Sequence, residues 1–265
     1  MLRVLLANLL LLTSLGLNAK EVLTVFTADN GAPKHYLDSD GQVKGYAVDI
    51  AREAIERVGL TPRLVARPWK RAQQEAMLGK GVITGFSRTP SREAYYLFTE
   101  PLFSDRVLLI YNSRNPITFN AYNDLAGLRI GISRGSNYSG EFNQMRPLLI
   151  MDEDSSHIQR LRKLLAGRLD GAIFSGDMFT ILFNADMAGL NVDNLIPAAK
   201  PISIDPNHLG IPNNLRGFDP EHLKRQLDQA IQAMHQDGTI QKFRQHYSQA
   251  LNQKLDYRTA PPLNE

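Results

Sequence analysis

Two residues close together in the chain, Ser87 and Arg92, have the side chains that a small-carboxylate site requires. They lie at residues 84–102 in the stretch TGFSRTPSREAYYLFTEPL, after an apolar run. A guanidinium presents a planar fork of donors that matches a carboxylate, and hydroxyls can fill the remaining lone pairs. The alternative is an arginine on an exposed polar turn, and the stretch taken alone favours that simpler interpretation.

The elements around this stretch alternate between strand and helix patterns. Short β-prone or apolar runs at residues 23–27, 64–66 and 82–83 predict strands. Apolar residues at helical spacing predict a helix over 46–58, and a proline start predicts another over 68–77. This order predicts an α/β fold with a mainly parallel sheet and helices on both faces.

The pattern begins again about 100 residues along, which is a common domain length. Predicted strands at 107–111, 129–132 and 172–174 flank a helix that begins after the capping candidates Ser155 and Ser156. The repetition predicts a second α/β lobe. The remaining predictions are a proline-rich return crossing at 196–206 and C-terminal helices after Asp219 and Gly238.

Residues 1–19, MLRVLLANLLLLTSLGLNA, have the composition of a secretory signal peptide, with one arginine, an apolar run and a small residue at the end. A buried N-terminal helix is the alternative. The chain has no cysteine, which excludes disulfides, thiolate sites and a lipid-anchored N-terminus. A formal charge of +3 without a dense basic run argues against a nucleic-acid partner. We therefore expect an exported, soluble, periplasmic protein that begins at Lys20.

Five segments of the chain occur in a characteristic order. They are GYAVDIAREAIERVGL, SRTPSRE followed by FTEPL, DLAGLRIGISRGSNY, GRLDGAIF and MHQDGTIQKFRQHY. In this order they resemble a first helix, a carboxylate-binding loop, the entry to a second lobe, a late strand of that lobe and a closing helix pair. The family with these features is the extracytoplasmic solute-binding proteins of ABC importers, in the polar amino-acid-binding group (family 3), and the resemblance covers essentially the whole mature chain.

The resemblance implies a type II periplasmic binding fold, in which two α/β lobes are joined by a two-strand hinge. Lobe 1 would comprise residues 20–104 and 203–265, and lobe 2 would comprise residues 105–202. A small amino acid or related carboxylate would select the closed state by contacting both lobes. The resemblance also implies a monomer whose partners are this ligand and an ABC permease in the inner membrane.

The resemblance also implies roles for individual residues. Arg92 would bind the ligand carboxylate with help from Ser87, and Trp69 stands where the family has an aromatic that stacks on the ligand. Ordinary core packing is the alternative for Trp69. Ser136 and Asn137 lie on the lobe 2 turn that usually donates amides to the same carboxylate, a role that fits a helix N-terminus. A plain turn is the alternative there.

The sequence departs from the family at the ammonium-binding position. Many amino-acid binders carry an acid just after the GRLD-type strand, and this chain has Ser175 there, with Asp177 as the nearest acid. Either Asp177 reaches the ligand or the ligand lacks an α-ammonium group. The acid that binders of basic amino acids use in the first loop is replaced by Ala28. Lys70 and Arg71 lie near the expected pocket wall and favour an anionic ligand, with a solvated helix face as their alternative.

Three functions remain open from the sequence: a transport binding protein, a related periplasmic enzyme such as a dehydratase, and a ligand-sensing subunit. An enzyme needs a positioned acid or base. The candidates occur in no recognisable catalytic motif, and they are Glu141, Asp177, His35 and His157. The histidines also lack metal-ligand spacing. We therefore expect a binding protein that is not an enzyme and uses no metal or cofactor.

Overall fold

The computed structural model describes residues 20–138 and 140–254. The predicted signal peptide at residues 1–19 and the polar tail after Lys254 lie outside the described residues. Within them, the first half of the chain alternates strand and helix as predicted. Its elements are β1 (Val22–Ala28), β2 (Asn30–Gly31), β3 (His35–Leu37), β4 (Val43–Lys44), α1 (Tyr46–Arg57), β5 (Thr61–Arg67), α2 (Trp69–Met77), β6 (Val82–Ser87), α3 (Pro90–Glu93) and β7 (Tyr96–Phe98).

The second half begins with a long strand and ends with two long helices. Its elements are β8 (Phe103–Asn112), β9 (Arg129–Ser133), α4 (Gly140–Met145), β10 (Ile150–Asp154), α5 (His157–Leu165), β11 (Gly171–Ser175), α6 (Met178–Ala188), β12 (Leu195–Pro197), β13 (Ser203–Pro212), α7 (Pro220–Gln236) and α8 (Thr239–Lys254). Single turns of 3₁₀ helix lie at Tyr122–Leu125 and Arg146–Leu148.

One twisted sheet runs through the whole fold in the order β10-β9-β11-β8-β13-β6-β1-β5. The outer strands on each side pair in parallel, as the strand–helix alternation predicts. The two central strands, β8 and β13, pair antiparallel to each other and to their other neighbours β11 and β6, so the sheet is mixed at its centre. These two strands are the crossing strands that the resemblance implies, but the return strand begins at Ser203 and not at residue 196, where the proline-rich segment had predicted it.

Separate hydrophobic cores lie on the two sides of the crossing strands. A large cluster packs α1, α7 and α8 against one face of β1 and β6, and it includes Ile50, Leu227 and Ile231. Two other clusters cover opposite faces of the sheet around β8 and β11. Ile130 belongs to the cluster on one face, and Leu161 belongs to the cluster on the other. This arrangement agrees with a two-lobed α/β architecture, while the lobe boundaries stay a prediction.

Two local features place the loop after β1 against α1. Gly45 precedes α1 with a φ of 131°, a conformation that L side chains rarely adopt. A Cβ at this position would lie 2.2 Å from the backbone oxygen of Lys34. The phenol of Tyr247 in α8 accepts the Gly45 amide and donates to Asp49. The close approach therefore requires glycine, and it holds the backbone of Lys34 against the start of α1, where the Ala47 amide donates to its oxygen at 3.1 Å.

Candidate functional site

A cleft of about 340 Å³ lies where strands from both sides of the sheet end. The last residues of β1, β6, β9, β10 and β11 line it, and they are Ala28, Ser87, Ser133, Asp154 and Ser175. In open α/β sheets the carboxyl ends of strands are the usual place for a ligand. Trp69, Arg92, Ser136 and Asn137, four further residues predicted from the sequence, line the same cleft.

Arg92 lies on the short helix α3 with only 9% of its surface exposed. Its Nη1 donates to the backbone oxygen of Ser87 at 2.8 Å, and its Nη2 donates to Gln73 Oε1 at 3.2 Å. The guanidinium lies 4.1 Å from the ring centre of Phe86, as in a cation–π contact. Burial lowers the pKa of Arg92 to about 10, so it stays charged at neutral pH. The surface-turn interpretation is therefore wrong.

The hydroxyl of Ser87 makes a hydrogen bond that the sequence did not predict. Its Oγ donates to Asp205 Oδ2 at 2.6 Å. Asp205 belongs to the crossing strand β13, is buried and also lines the cleft. Burial raises the pKa of this carboxyl to about 6, against the lowering effect of the Ser87 hydrogen bond and the positive charge of Lys34. Ser87 therefore forms hydrogen bonds with an acid of the site as well as with Arg92.

Trp69 begins α2 and is half-buried. Its ring stacks on His35 with 5.8 Å between centroids and 22° between planes, and it meets Phe86 edge-on at 5.8 Å. The indole therefore packs against the core of this lobe and lines the cleft as well. Lys70 and Arg71 are exposed and lie along the same wall, where the sequence predicted them.

The turn with Ser136 and Asn137 faces the cleft from the other side and leads towards α4. The Ser136 amide donates to the oxygen of Ser133 at 3.0 Å, which closes the turn. The Asn137 side-chain oxygen accepts a hydrogen bond from Asn143 in α4. A donation from the Ser136 amide to a ligand would compete with this turn, so the predicted amide role depends on a rearrangement.

Asp177 does not line the cleft, in contrast to the prediction. Its carboxylate caps α6, where it accepts the amide of Phe179 at 2.9 Å. An N-cap aspartate satisfies an otherwise unpaired helix amide, which explains its orientation. Ser175 does line the cleft, and so does Asp29, the neighbour of Ala28.

Sequence reasoning missed a buried ion pair, of which one member, Lys34, lines the cleft. Lys34 Nζ lies 2.7 Å from Asp105 Oδ2, and both side chains are buried. Lys34 also donates to Asn207 Oδ1, and Tyr46 donates to the second Asp105 oxygen at 3.2 Å. The pair joins the first loop to both crossing strands. The only local sequence signal was a lysine in the loop that follows the first strand.

Two buried histidines also line the cleft, His35 from the first loop and His157 at the start of α5. The Nδ1 atom of each is buried without a hydrogen-bond partner among the described residues. Burial lowers the pKa of His157 to about 3, and burial with the charge of Lys34 lowers the pKa of His35 well below 6.5. Both rings are therefore neutral at pH 7. Glu141, another acid–base candidate from the sequence, does not line the cleft.

Side chains also connect the two sides of the cleft. Gln73 in α2 donates to the backbone oxygen of Gly135 at 3.4 Å while its own oxygen accepts from Arg92. The buried amide of Asn184 in α6 donates to the backbone oxygen of Ala32 at 2.6 Å. These contacts join residues from the first part of the chain to residues between β8 and β13.

No group of three or more His, Asp or Glu side chains suited to a metal ion occurs in residues 20–138 and 140–254. The helices of that part of the chain also include none with the length and apolar character that a bilayer crossing needs.

Comparisons with known proteins agree on one family. A family model described as bacterial extracellular solute-binding proteins, family 3, matches residues 23–250. The ABC transporter arginine-binding protein 1 of Escherichia coli K12 is 23% identical over 253 residues, 91% of this chain and 96% of the relative. The L-cystine-binding protein TcyJ of the same strain is 23% identical over 214 residues, 79% of this chain and 76% of the relative.

A solved structure has the same fold. The P235GK mutant of ArgBP from T. maritima superposes with a TM-score of 0.72 and 16% identity, and the match covers 86% of this chain and 95% of that chain. The two-lobed periplasmic-binding-protein fold predicted from the sequence is therefore confirmed.

Proposed function

The chain belongs to the bacterial extracellular solute-binding proteins, family 3, and from this premise we propose that it captures a small amino acid or related carboxylate between two lobes and delivers it to an ABC permease in the inner membrane. The relatives named above bind arginine and cystine according to their names. We propose the same class of ligand here, without catalysis and without a cofactor, since members of the family are binding proteins.

One observation carries the ligand class: Arg92 is a buried cation in the cleft whose described hydrogen bonds go only to neutral oxygens. Residues 20–138 and 140–249 contribute no carboxylate that forms an ion pair with it. A buried charge without a counter-charge is costly, and a ligand carboxylate would remove that cost. The guanidinium fork and the neighbouring Ser87 hydroxyl supply the donors that such a carboxylate needs.

The proposed site consists of two sets of residues that close on the ligand from opposite sides. Trp69, Ser87 and Arg92 would act from lobe 1, comprising residues 20–104 and 203–265. Ser136 and Asn137 would act from lobe 2, comprising residues 105–202. Closure would let the ligand contact both sets, and its affinity would then favour the closed state. We further propose that the protein is a periplasmic monomer from which residues 1–19 are removed.

Ligand identification tests this proposal directly. Protein purified without refolding is analysed by native mass spectrometry, and the bound small molecule is released and identified. We expect an amino acid or another small carboxylate at up to one molecule per chain. A protein that carries no such molecule and shows no heat of binding with a panel of amino acids and small carboxylic acids would contradict the proposal.

A further inference from the structure

Two acids face each other where the crossing strands pair. Asp105 in β8 and Asp205 in β13 are directly opposite partners in the antiparallel register. Opposite residues in such a pair point to the same face of the sheet, and like charges there repel each other. Both carboxyls are buried. The arrangement therefore requires cations near this point.

Only one of the two acids has its cation in the structure. Asp105 binds Lys34 at 2.7 Å and also accepts hydrogen bonds from Tyr46 and Asn207. The side chain of Asp205 accepts only the Ser87 hydroxyl, and residues 20–138 and 140–249 provide no ion-pair partner for it. Asp205 Oδ1 thus keeps its hydrogen-bonding capacity within the cleft.

The other acids that line the cleft are already used or lie in a different environment. Asp154 is paired with the buried Arg160, whose Nη2 lies 2.6 Å from its Oδ1. Asp29 is only partly buried, and burial raises the pKa of its carboxyl against the lowering effects of a backbone hydrogen bond and the charge of Arg67. Asp205 is consequently the buried, unpaired acid of the cleft. Burial raises the pKa of its carboxyl to about 6, which still leaves it mostly ionised at neutral pH.

The cleft therefore contains one buried cation and one buried anion, and neither forms an ion pair among residues 20–138 and 140–249. Arg92 and Asp205 are linked through Ser87, whose backbone oxygen accepts from Arg92 and whose hydroxyl donates to Asp205. They are close enough for the charge of each to influence the other. Ser87 thus lies between a cation and an anion, and two such opposite charges are complementary to a zwitterionic ligand.

We propose that Asp205 receives the α-ammonium group of an α-amino acid whose carboxylate binds Arg92. The inference rests on the proposed function and narrows its ligand class from carboxylates in general to α-amino acids. It also gives Asp205, in the crossing strand β13, the ammonium-binding role that the sequence analysis considered for Asp177. A carboxylate that accepts an ammonium ion forms a charge-assisted hydrogen bond, and a ligand with a hydroxyl in that place forms a weaker one.

The test compares matched ligands on the wild-type chain and on Asp205→Asn. Calorimetry is carried out with the standard L-amino acids and with 2-hydroxy acids that have the same side chains. The wild type should bind its tightest amino acid more strongly than the matching hydroxy acid. Asp205→Asn should bind that amino acid at least about tenfold more weakly than the wild type does. Its affinity for the hydroxy acid should change less than about threefold. Asp193→Asn, which makes the same charge change on an exposed loop outside the cleft, should keep the wild-type preference.

The outcomes separate this inference from the proposed function. If the wild type binds an amino acid and Asp205→Asn retains the wild-type preference over the hydroxy acid, the inference is overturned and the proposed function stands. The same conclusion holds if the wild type binds only hydroxy acids or other carboxylates, or if Asp205→Asn loses both ligands equally with a lowered unfolding temperature. If the wild type binds neither class, the proposed function fails and the inference fails with it.

Discussion

The side-chain amide of Asn184 donates to the backbone oxygen of Ala32 at 2.6 Å and thereby joins α6 to the loop after β1. The same amide donates to Thr180 within its own helix at 2.7 Å. Asn184 and Ala32 are both buried. Removal of the Asn184 amide would therefore leave the Ala32 oxygen buried and without this hydrogen-bond donor. The contact connects the two sides of the cleft and is suited to hold them closed.

Asn184→Ala should therefore weaken the closed state. Removal of one buried hydrogen bond costs about 1 kcal/mol, so we expect the ligand to dissociate roughly fivefold faster. Stopped-flow measurement with the Trp69 signal or with labelled ligand gives the rate. Asn191→Ala is the control, because Asn191 lies on an exposed loop and, among the described residues, its side chain is hydrogen-bonded to Asp193. Equal dissociation rates for the two variants would show that the Asn184 contact does not stabilise closure.

Stability should fall in mild acid because of His157. Burial, followed by the charges of Arg160 and Lys34, lowers the pKa of this imidazole from 6.5 to about 3. The unfolded chain therefore binds a proton below about pH 6.5 that the folded chain does not, and stability is lost as the pH falls, at about 1.4 kcal/mol per pH unit for one such group. Above pH 6.5 this group has no effect.

His157→Gln removes the titrating ring and should reduce the difference in unfolding free energy between pH 7 and pH 5 by about 2 kcal/mol. Chemical denaturation at the two pH values measures this difference. His246→Gln serves as the control, since His246 is exposed, and it should leave the difference unchanged. If His157→Gln has the pH dependence of the wild type, the buried neutral state of His157 is refuted.

Trp69 should report ligand binding, since it is the only tryptophan of the chain and it lines the cleft. Ligand entry and closure would change the water and the ring contacts around the indole. We expect a saturable change in fluorescence intensity or emission maximum during titration with the correct amino acid or carboxylate. Trp69→Phe should abolish the signal and keep most of the affinity, whereas Trp69→Ala should lose affinity. A ligand that calorimetry detects without an emission change, together with normal affinity in Trp69→Ala, would restrict Trp69 to core packing.

The sequence predicted those parts of the site that follow a strand in a recognisable local segment. Ser87 and Arg92 lie at and after the end of the third predicted strand, and Ser136 comes after the predicted strand at 129–132. Parallel strands present their carboxyl ends at one edge, but the strands of the two halves run in opposite directions in this sheet, so the family resemblance, and not chain order, implied that these residues meet. The family resemblance then supplied their expected roles.

Residues that act through pairing across the fold could not be predicted in this way. Asp105 and Asp205 become neighbours only through the antiparallel register of the crossing strands, and Lys34 reaches Asp105 from 71 residues away in sequence. The failure at Asp177 has a local cause, because the sequence shows an acid near the right place but cannot show that a helix amide already binds it.

Two secondary-structure elements also lacked a usable sequence pattern. The helix α6, MFTILFNADMA, is apolar on most sides, so no stripe at helical spacing marks it. One side of α6 packs against the lobe 2 sheet and another against the lobe 1 core, which explains this composition. The strand β10, IMDED, lies at the sheet edge and is rich in acids, so it lacks the apolar run of a buried strand.

The central claim is that Arg92 binds the carboxylate of a small ligand, and calorimetric titration of Arg92 variants with the ligand identified from the purified protein tests it most directly. Truncation of one partner of a buried charged pair costs about 2–5 kcal/mol, so Arg92→Ala should bind at least about thirtyfold more weakly than the wild type. Arg92→Lys should also bind poorly because a single ammonium cannot reproduce the fork of donors. The exposed Arg88→Ala, four residues earlier on the same segment, should bind normally. Wild-type affinity in both Arg92 variants would contradict the account.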